Sequence, residues 1–218
     1  KISGGTIKDN IADYGGGLYL DSDCKVEITQ DIAISNNIAT ENGGGIFVNA
    51  KEFERKEVNG IVSYVDNYKN VEFTFAGGVV SENSAKNGGG VYINGLRQKK
   101  ERKNDIDIVV KISANFEGGQ ISSNTASENG AGIYLCDTIA TFNGVGEEYL
   151  KLYSNSATGK GGGIFVDSKS QITVFMLQVG EKEDSTLANT AGEKGAGIYL
   201  SEQGHTVALT LDSDEDYL

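Results

Sequence analysis

Short runs in which apolar and polar residues alternate are separated along this chain by clusters of Gly, Asn, Asp and Ser. No stretch sustains the 3.6-residue apolar period of an amphipathic helix, so the pattern predicts short strands between tight turns. One phrase returns six times: TIKDNIADYGGGLYL ending at Leu20, AISNNIATENGGGIFV at Val48, VVSENSAKNGGGVYI at Ile93, QISSNTASENGAGIYL at Leu135, KLYSNSATGKGGGIFV at Val166 and STLANTAGEKGAGIYL at Leu200. Its skeleton is an apolar residue, two variable residues, Asn, one variable residue, Ala, a polar stretch, Gly-Gly/Ala-Gly, then aliphatic, aromatic, aliphatic. The last glycine of each triplet stands at 17, 45, 90, 132, 163 and 197, giving intervals of 28, 45, 42, 31 and 34 residues.

Repetition at this period marks an architecture in which each unit is stable only against its neighbours. The shortest interval holds three strand-like pieces, Leu18 to Leu20, Val26 to Thr29 and Ile32 to Ser35. Three short strands in a coil, each pairing with its counterpart about 4.8 Å away, describe a parallel β-helix. Propeller blades need four antiparallel strands and roughly 40 or more residues, which the shortest intervals disfavour. The reading is all-β: one right-handed, three-sided solenoid of about six coils over residues 1–218. The longer intervals are insertions at about 50–70, 94–108 and 138–149, their charge-rich starts at Lys51 to Glu57 and Arg97 to Lys103 read as solvated loops at a corner. The chain opens at Lys1 inside the repeat pattern and its only methionine is Met176, which reads as a segment of a longer protein.

Strand alternation assigns the repeated residues. Leu18, Ile46, Val91, Ile133, Ile164 and Ile198, with Leu20, Val48, Ile93, Leu135, Val166 and Leu200, should face inward, each worth roughly 1.5–3 kcal/mol if fully buried. The central member of each triplet (Gly16, Gly44, Gly89, Ala131, Gly162, Ala196) implies space for no more than a methyl group. Asn10, Asn37, Asn83, Asn124, Asn155 and Asn189 should form a structural ladder in which each amide satisfies turn backbone and bonds to the next amide. Ala12, Ala39, Ala85, Ala126, Ala157 and Ala191 read as small corner fillers. Tyr19, Phe47, Tyr92, Tyr134, Phe165 and Tyr199 form an outward aromatic file. Three readings of it stand: a satellite core under the inserted loops, a stack shielding the sheet, or a binding strip for a glycan or protein.

The chain carries 31 acidic against 19 basic residues, a net charge of -12, which excludes nucleic-acid binding as the leading reading. The basic run Arg97, Lys99, Lys100, Arg102 and Lys103 reads as a loop. With 30 glycines, no proline and 38% apolar residues, the composition fits an ordered, turn-rich fold. No apolar run reaches the length of a membrane-spanning helix. Cys24 and Cys136 lie three coils apart, roughly 14 Å at strand spacing, so they should be free thiols.

Polysaccharide chemistry on such a scaffold needs paired carboxylates or a calcium-binding acidic cluster. Asp21, Asp23, Asp105, Asp107, Glu147, Glu148, Asp212, Asp214, Glu215 and Asp216 recur at no such spacing and read as surface acidity, the last four as a solvated boundary after the strand Val207 to Leu211. A single histidine, His205, leaves no zinc set and no base for a catalytic cysteine. The reading is therefore no enzyme, no catalytic residue, no cofactor and no metal. Ice binding would need regular outward Thr ranks; Thr6, Thr40, Thr125, Thr158 and Thr190 do not share one repeat position.

The glycine corners GGGL, GGGI, GGGV, GAGI, GGGI and GAGI, with Ile7-x-x-Asn10, Ile34-x-x-Asn37, Val80-x-x-Asn83, Ile121-x-x-Asn124 and Leu152-x-x-Asn155, resemble the repeats of chlamydial polymorphic outer-membrane proteins and related adhesin-like β-helix passengers. Those repeats are built on GGA-aliphatic and Phe-x-x-Asn motifs; here Ile, Val or Leu stands where they have Phe, and Thr186 opens the last copy. The resemblance implies an extracellular or cell-surface segment for adhesion or display. The expected function is a non-enzymatic, adhesin-like β-helix segment; the alternative is a polysaccharide-binding or polysaccharide-degrading β-helix. Expected partners are a glycan or a host or self surface protein, with end-to-end association with further coils, no nucleic acid and no membrane span of its own. Recognition would fall to the insertions 50–70 and 94–108 or to the aromatic file.

Overall fold

The computed structural model describes residues 1–21, 24–50, 71–95, 112–144, 148–167, 170–181 and 184–201, with the strands Phe53–Val58, Ile61–Asp66 and Val207–Leu209. The chain winds as a parallel β-helix of six coils, and four six-stranded parallel ladders run its length. Ladder I stacks Gly5–Lys8, Ile32–Ser35, Val79–Ser81, Gln120–Ser122, Leu150–Tyr153 and Leu177–Val179. Ladder II stacks Ile11–Tyr14, Ile38–Asn42, Ser84–Ala85, Thr125–Ala126, Ser156–Ala157 and Thr190–Ala191. Ladder III stacks Leu18–Leu20, Ile46–Asn49, Val91–Asn94, Ile133–Cys136, Ile164–Val166 and Ile198–Leu200. Ladder IV stacks Lys25–Ile28, Val71–Phe75, Ile112–Phe116, Ile139–Phe142, Gln171–Val174 and Val207–Leu209.

Each coil thus carries one strand more than the three legible in sequence. Ladder II escapes a pattern search because its later members are two residues long, too short to show alternation. The insertion at 50–70 is not a plain loop: Phe53–Val58 pairs antiparallel with Ile61–Asp66. The third insertion is shorter than 138–149, because Ile139–Phe142 pairs in register with Ser113–Phe116 and Gln171–Val174. A further insertion, 181–188, comes before the last Asn. Ladder I ends on Val179, opposite Leu152. It is therefore Val179, not Thr186, that holds the repeat's apolar position; Thr186 lies in a 3₁₀ turn, Ser185–Leu187, capped by Asp184.

Inward side chains form one continuous core. Ile34, Val80, Ile121 and Leu152 face it from ladder I, the paired aliphatics of the middle coils from ladder III, and Phe73, Phe75, Phe116 and Phe142 from ladder IV, all buried. Phe116 and Phe142 stack at 4.9 Å, so the core contains aromatic rings as well as the aliphatics read from the repeats. The expected inward set holds through the middle coils, with Leu18 half-buried at the first strand of ladder III. Ile198 and Leu200 depart from it, 37% and 40% exposed, because Ile198–Leu200 is the edge strand of ladder III.

The glycine triplets join ladder to ladder by two devices. Gly43 adopts φ +70°, and a Cβ there would fall 2.7 Å from the Phe47 Cβ. At Gly44 the constraint is close approach between coils, a Cβ meeting the Gly89 carbonyl oxygen at 2.5 Å. Backbone hydrogen bonds continue through the triplets, as in Gly44 N–H to Gly88 O at 3.1 Å.

Candidate functional site

Ladder III turns its alternate side chains outward, and register places the aromatic file on one line: Tyr19, Phe47, Tyr92, Tyr134, Phe165 and Tyr199. Successive ring centroids lie 5.2, 5.3, 4.7, 4.6 and 5.2 Å apart, with planes within 24° of parallel. Each ring therefore covers the faces of its neighbours. Phe47 and Phe165 are buried at 5% and 8% exposure, while Tyr19 at the first coil is 44% exposed. What the file offers outward is ring edges and phenol hydroxyls.

Beside it, two residues further along each strand, runs a polar row that includes Asn49, Asn94 and Cys136. Asn94 Nδ2 donates to Asn49 Oδ1 at 3.0 Å, and Asn49 Nδ2 donates to the Tyr19 hydroxyl at 3.0 Å. Cys136 is hydrogen-bonded to the Tyr92 hydroxyl and to Asp167. Burial first, and then the Asp167 carboxylate, push the Cys136 thiol up to about 12. Burial likewise drives the Tyr92 and Tyr134 phenols well above their ordinary value, with Cys136 adding to it. The thiol is thus held neutral and unreactive. Cys24 and Cys136 are not disulfide-bonded.

The repeated asparagines sit at the corner between ladders I and II. In each rung the backbone N–H and Nδ2 of one Asn donate to Oδ1 of the next: Asn10 to Asn37, Asn37 to Asn83, Asn83 to Asn124, Asn124 to Asn155 and Asn155 to Asn189, at 2.9–3.1 Å. The same Nδ2 also reaches back a coil, as from Asn83 to the Ile34 carbonyl at 2.9 Å. Asn37 through Asn189 are buried with their amides consumed; Asn10, in the first coil, is exposed. The preceding residue takes left-handed backbone in five coils: Asp9, Asn36, Glu82, Ser123 and Ser154, φ 53–60°. No single residue type marks that position, so sequence reasoning missed it.

A second amide ladder, also missed, precedes the triplets. Asn87 Nδ2 donates to Asn42 Oδ1 at 3.3 Å, Asn129 N–H to Asn87 Oδ1 at 3.1 Å and Lys160 N–H to Asn129 Oδ1 at 2.9 Å. Its signal was the recurrent Asn-Gly of ENGGG, KNGGG and ENGAG. Next to it Lys86 lies 3.8 Å from Glu41 and 3.7 Å from Glu128. The threonines are better aligned than sequence suggested: Thr125 and Thr190 share one outward position of ladder II with Ser84 and Ser156 between or beside them. Thr6 belongs to ladder I.

Glu148 is exposed just before Leu150–Tyr153, the fifth strand of ladder I, whereas Asp21 follows the first strand of ladder III, so the structure does not bring these two acids together. Asp23, Asp105, Asp107, Glu147, His205, the basic run 97–103 and the acidic end from Asp212 lie outside the described residues. Among the described residues no group of three or more His, Cys, Asp or Glu is arranged to hold a metal ion, and no helix is long and apolar enough to cross a membrane. A concavity lined by Tyr149, Met176, Gln178, Val179, Asn189 and Gly197 opens at the rim of the last coil.

The insertions have a definite address. The hairpin strands fall in the chain between Ile46–Asn49 of ladder III and Val71–Phe75 of ladder IV, and the second long interval, between Val91–Asn94 and Ile112–Phe116, separates strands of the same two ladders in the next coil.

Residues 31–49 match the family model of the Chlamydia polymorphic membrane protein repeat. The matched stretch holds the strand Ile32–Ser35, Asn36 and Asn37, the strand Ile38–Asn42, the first complete corner triplet after them and the strand Ile46–Asn49. The chain thus carries a repeat of this kind, and its geometry recurs in the coils on either side. No curated protein and no solved structure matches the chain.

Proposed function

We propose that this chain is a non-enzymatic, surface-located β-helix segment that displays the corner between ladders III and IV for adhesion. The observation that carries the reading is the placement of two long insertions at that one corner in consecutive coils. The repeat match to a membrane-protein family supports the surface location. The residues that recur support a scaffold role, since asparagines, glycines and rings are engaged coil to coil; recognition then falls to what does not recur. The aromatic file enters this proposal as a stiffening seam. A partner would meet its edges and hydroxyls, because the ring faces used in sugar stacking are covered by one another.

The expected partner is a surface glycan or surface protein. Beads coated with the purified chain should adhere to cells and to a glycan or surface-protein array. Deleting Phe53–Asp66 or residues 96–111 should remove that adherence while circular dichroism stays that of a β-fold. Adherence that survives both deletions and is lost on changing Tyr92 and Tyr134 to Ala would transfer the site to the aromatic file. Absence of adherence by the intact chain would overturn the proposal.

A further inference from the structure

Asparagine followed by glycine is the dipeptide most prone to spontaneous loss of the side-chain amide, because nothing on glycine hinders attack by its backbone nitrogen. The sequence holds six such pairs, at Asn42, Asn59, Asn87, Asn94, Asn129 and Asn143. Stacking deals with them unequally. In four pairs the glycine N–H is committed to the neighbouring coil: Gly43 to the Asn87 carbonyl at 3.0 Å, Gly88 to Asn129 at 3.1 Å, Gly95 to Cys136 at 2.7 Å and Gly130 to Lys160 at 2.9 Å. The matching amide side chains are held as well, through Asn87 Nδ2 to Asn42 Oδ1, Asn129 N–H to Asn87 Oδ1, Lys160 N–H to Asn129 Oδ1 and Asn94 Nδ2 to Asn49 Oδ1. Neither the nucleophile nor the carbonyl carbon it must reach is free to turn.

Asn143–Gly144 stands outside these ladders, between the ladder IV strand Ile139–Phe142 and the ladder I strand Leu150–Tyr153. Asn143 keeps its backbone bond to the Phe116 carbonyl at 2.9 Å. Its Oδ1 is buried without a hydrogen-bond partner, and among the described residues neither its Nδ2 nor the Gly144 N–H makes a hydrogen bond. An unpaired buried carbonyl is costly. The Asn143 side chain therefore lacks the amide-to-amide anchor that holds Asn42, Asn87, Asn94 and Asn129.

We propose that Asn143–Gly144 is a site of spontaneous succinimide formation in the folded chain, while coil stacking protects the pairs at Asn42, Asn87, Asn94 and Asn129. Gly144 N attacks Asn143 Cγ; the N–Cγ bond closes a five-membered imide as the Cγ–Nδ2 bond breaks, and Nδ2 leaves as ammonia with the proton that Gly144 gives up. Water then opens the ring at either carbonyl, giving aspartate or isoaspartate. No electron transfer is involved. The product adds a negative charge and, as isoaspartate, an extra backbone methylene at the junction of ladders IV and I.

The test is peptide mapping with isoaspartate detection on the intact chain held folded in mildly alkaline buffer, beside the same chain in urea. Asn143 should convert at least about tenfold faster than Asn42, Asn87, Asn94 and Asn129 in the folded chain, equivalent to about 1.4 kcal/mol, and unfolding should bring the five together. Equal rates in the folded chain would overturn the proposal, as would a difference that persists in urea, since flanking residues rather than stacking would then set it. The variant Asn143→Gln should remove the conversion mapped to the 143–144 peptide and leave the rates at Asn42, Asn87, Asn94 and Asn129 unchanged; isoaspartate that persists in the 143–144 peptide also overturns it.

Discussion

Between ladders I and II the chain turns, in five of six coils, on one left-handed residue and one Asn. Between ladders III and IV it crosses on anything from the pair Asp137 and Thr138 to the whole of 50–70. The first corner is built from amides that donate forward and backward along the axis, so any residue added after the Asn would break rungs on both sides. The second corner joins strands whose core is already closed by ladders III and IV, and added chain can leave toward solvent at little cost, since loop closure grows slowly with length. The sixth coil sharpens the contrast. Its insertion, 181–188, enters before Asn189, and that residue still takes its rung from Asn155. Variation is therefore excluded from the rung itself, and tolerated wherever the rung is left intact.

The largest effect expected from this contrast is at Asn83. Asn83→Ala removes the acceptor for Asn37 N–H and Nδ2 and the donor to the Ile34 carbonyl, all buried; with about 1–3 kcal/mol for each orphaned group, partly relaxed, the loss should be about 3–5 kcal/mol by urea denaturation. A loss under about 1 kcal/mol would mean the rungs are ornamental. Next comes alkaline pH. The Cys136 thiol is raised to about 12 in the folded chain, and Tyr92 and Tyr134 are raised in the same direction. The folded state thus holds these protons more tightly than the unfolded chain. Stability should be full below the unfolded thiol value of about 9 and fall as pH rises from there toward the folded value, in equilibrium unfolding followed across pH; Cys136→Ser should flatten that slope. A smaller effect belongs to Asn94→Ala, the same chemistry moved to the half-buried polar row: about 1 kcal/mol, since water replaces part of the bond to Asn49. Smallest of all, excising Phe53–Asp66 with a short glycine bridge should change the free energy of unfolding in urea by no more than about 1 kcal/mol.

Whatever repeats was legible before any coordinate: the parallel β-helix, the inward pairs flanking each ring, the asparagine and aromatic positions. Repetition averages out local ambiguity, because one register must satisfy six coils at once. Ladder II was not legible, since pieces such as Ser84–Ala85 and Thr125–Ala126 carry no period. Nor was the left-handed corner, where Asp9, Asn36, Glu82, Ser123 and Ser154 share a backbone angle but no side-chain chemistry. A fixed spacing from Asn189 points to Thr186 rather than Val179, because the insertion 181–188 lengthens the interval between the apolar position and its Asn. The stacked rings were visible as a row; that their faces cover one another depends on distances only coordinates supply.

The inter-coil hydrogen bonds run along the axis of the rod, and that orientation decides how the molecule would yield to a pull. Force applied through the backbone at one end loads the bonds of the outermost coil first, and the next coil feels it only when those have opened. A coil of the shortest interval, 28 residues from Gly17 to Gly45, would pay out about 100 Å of extended chain as it peels. A load hung on one end would therefore meet a series of discrete lengthening steps, each dissipating work, rather than a single rupture.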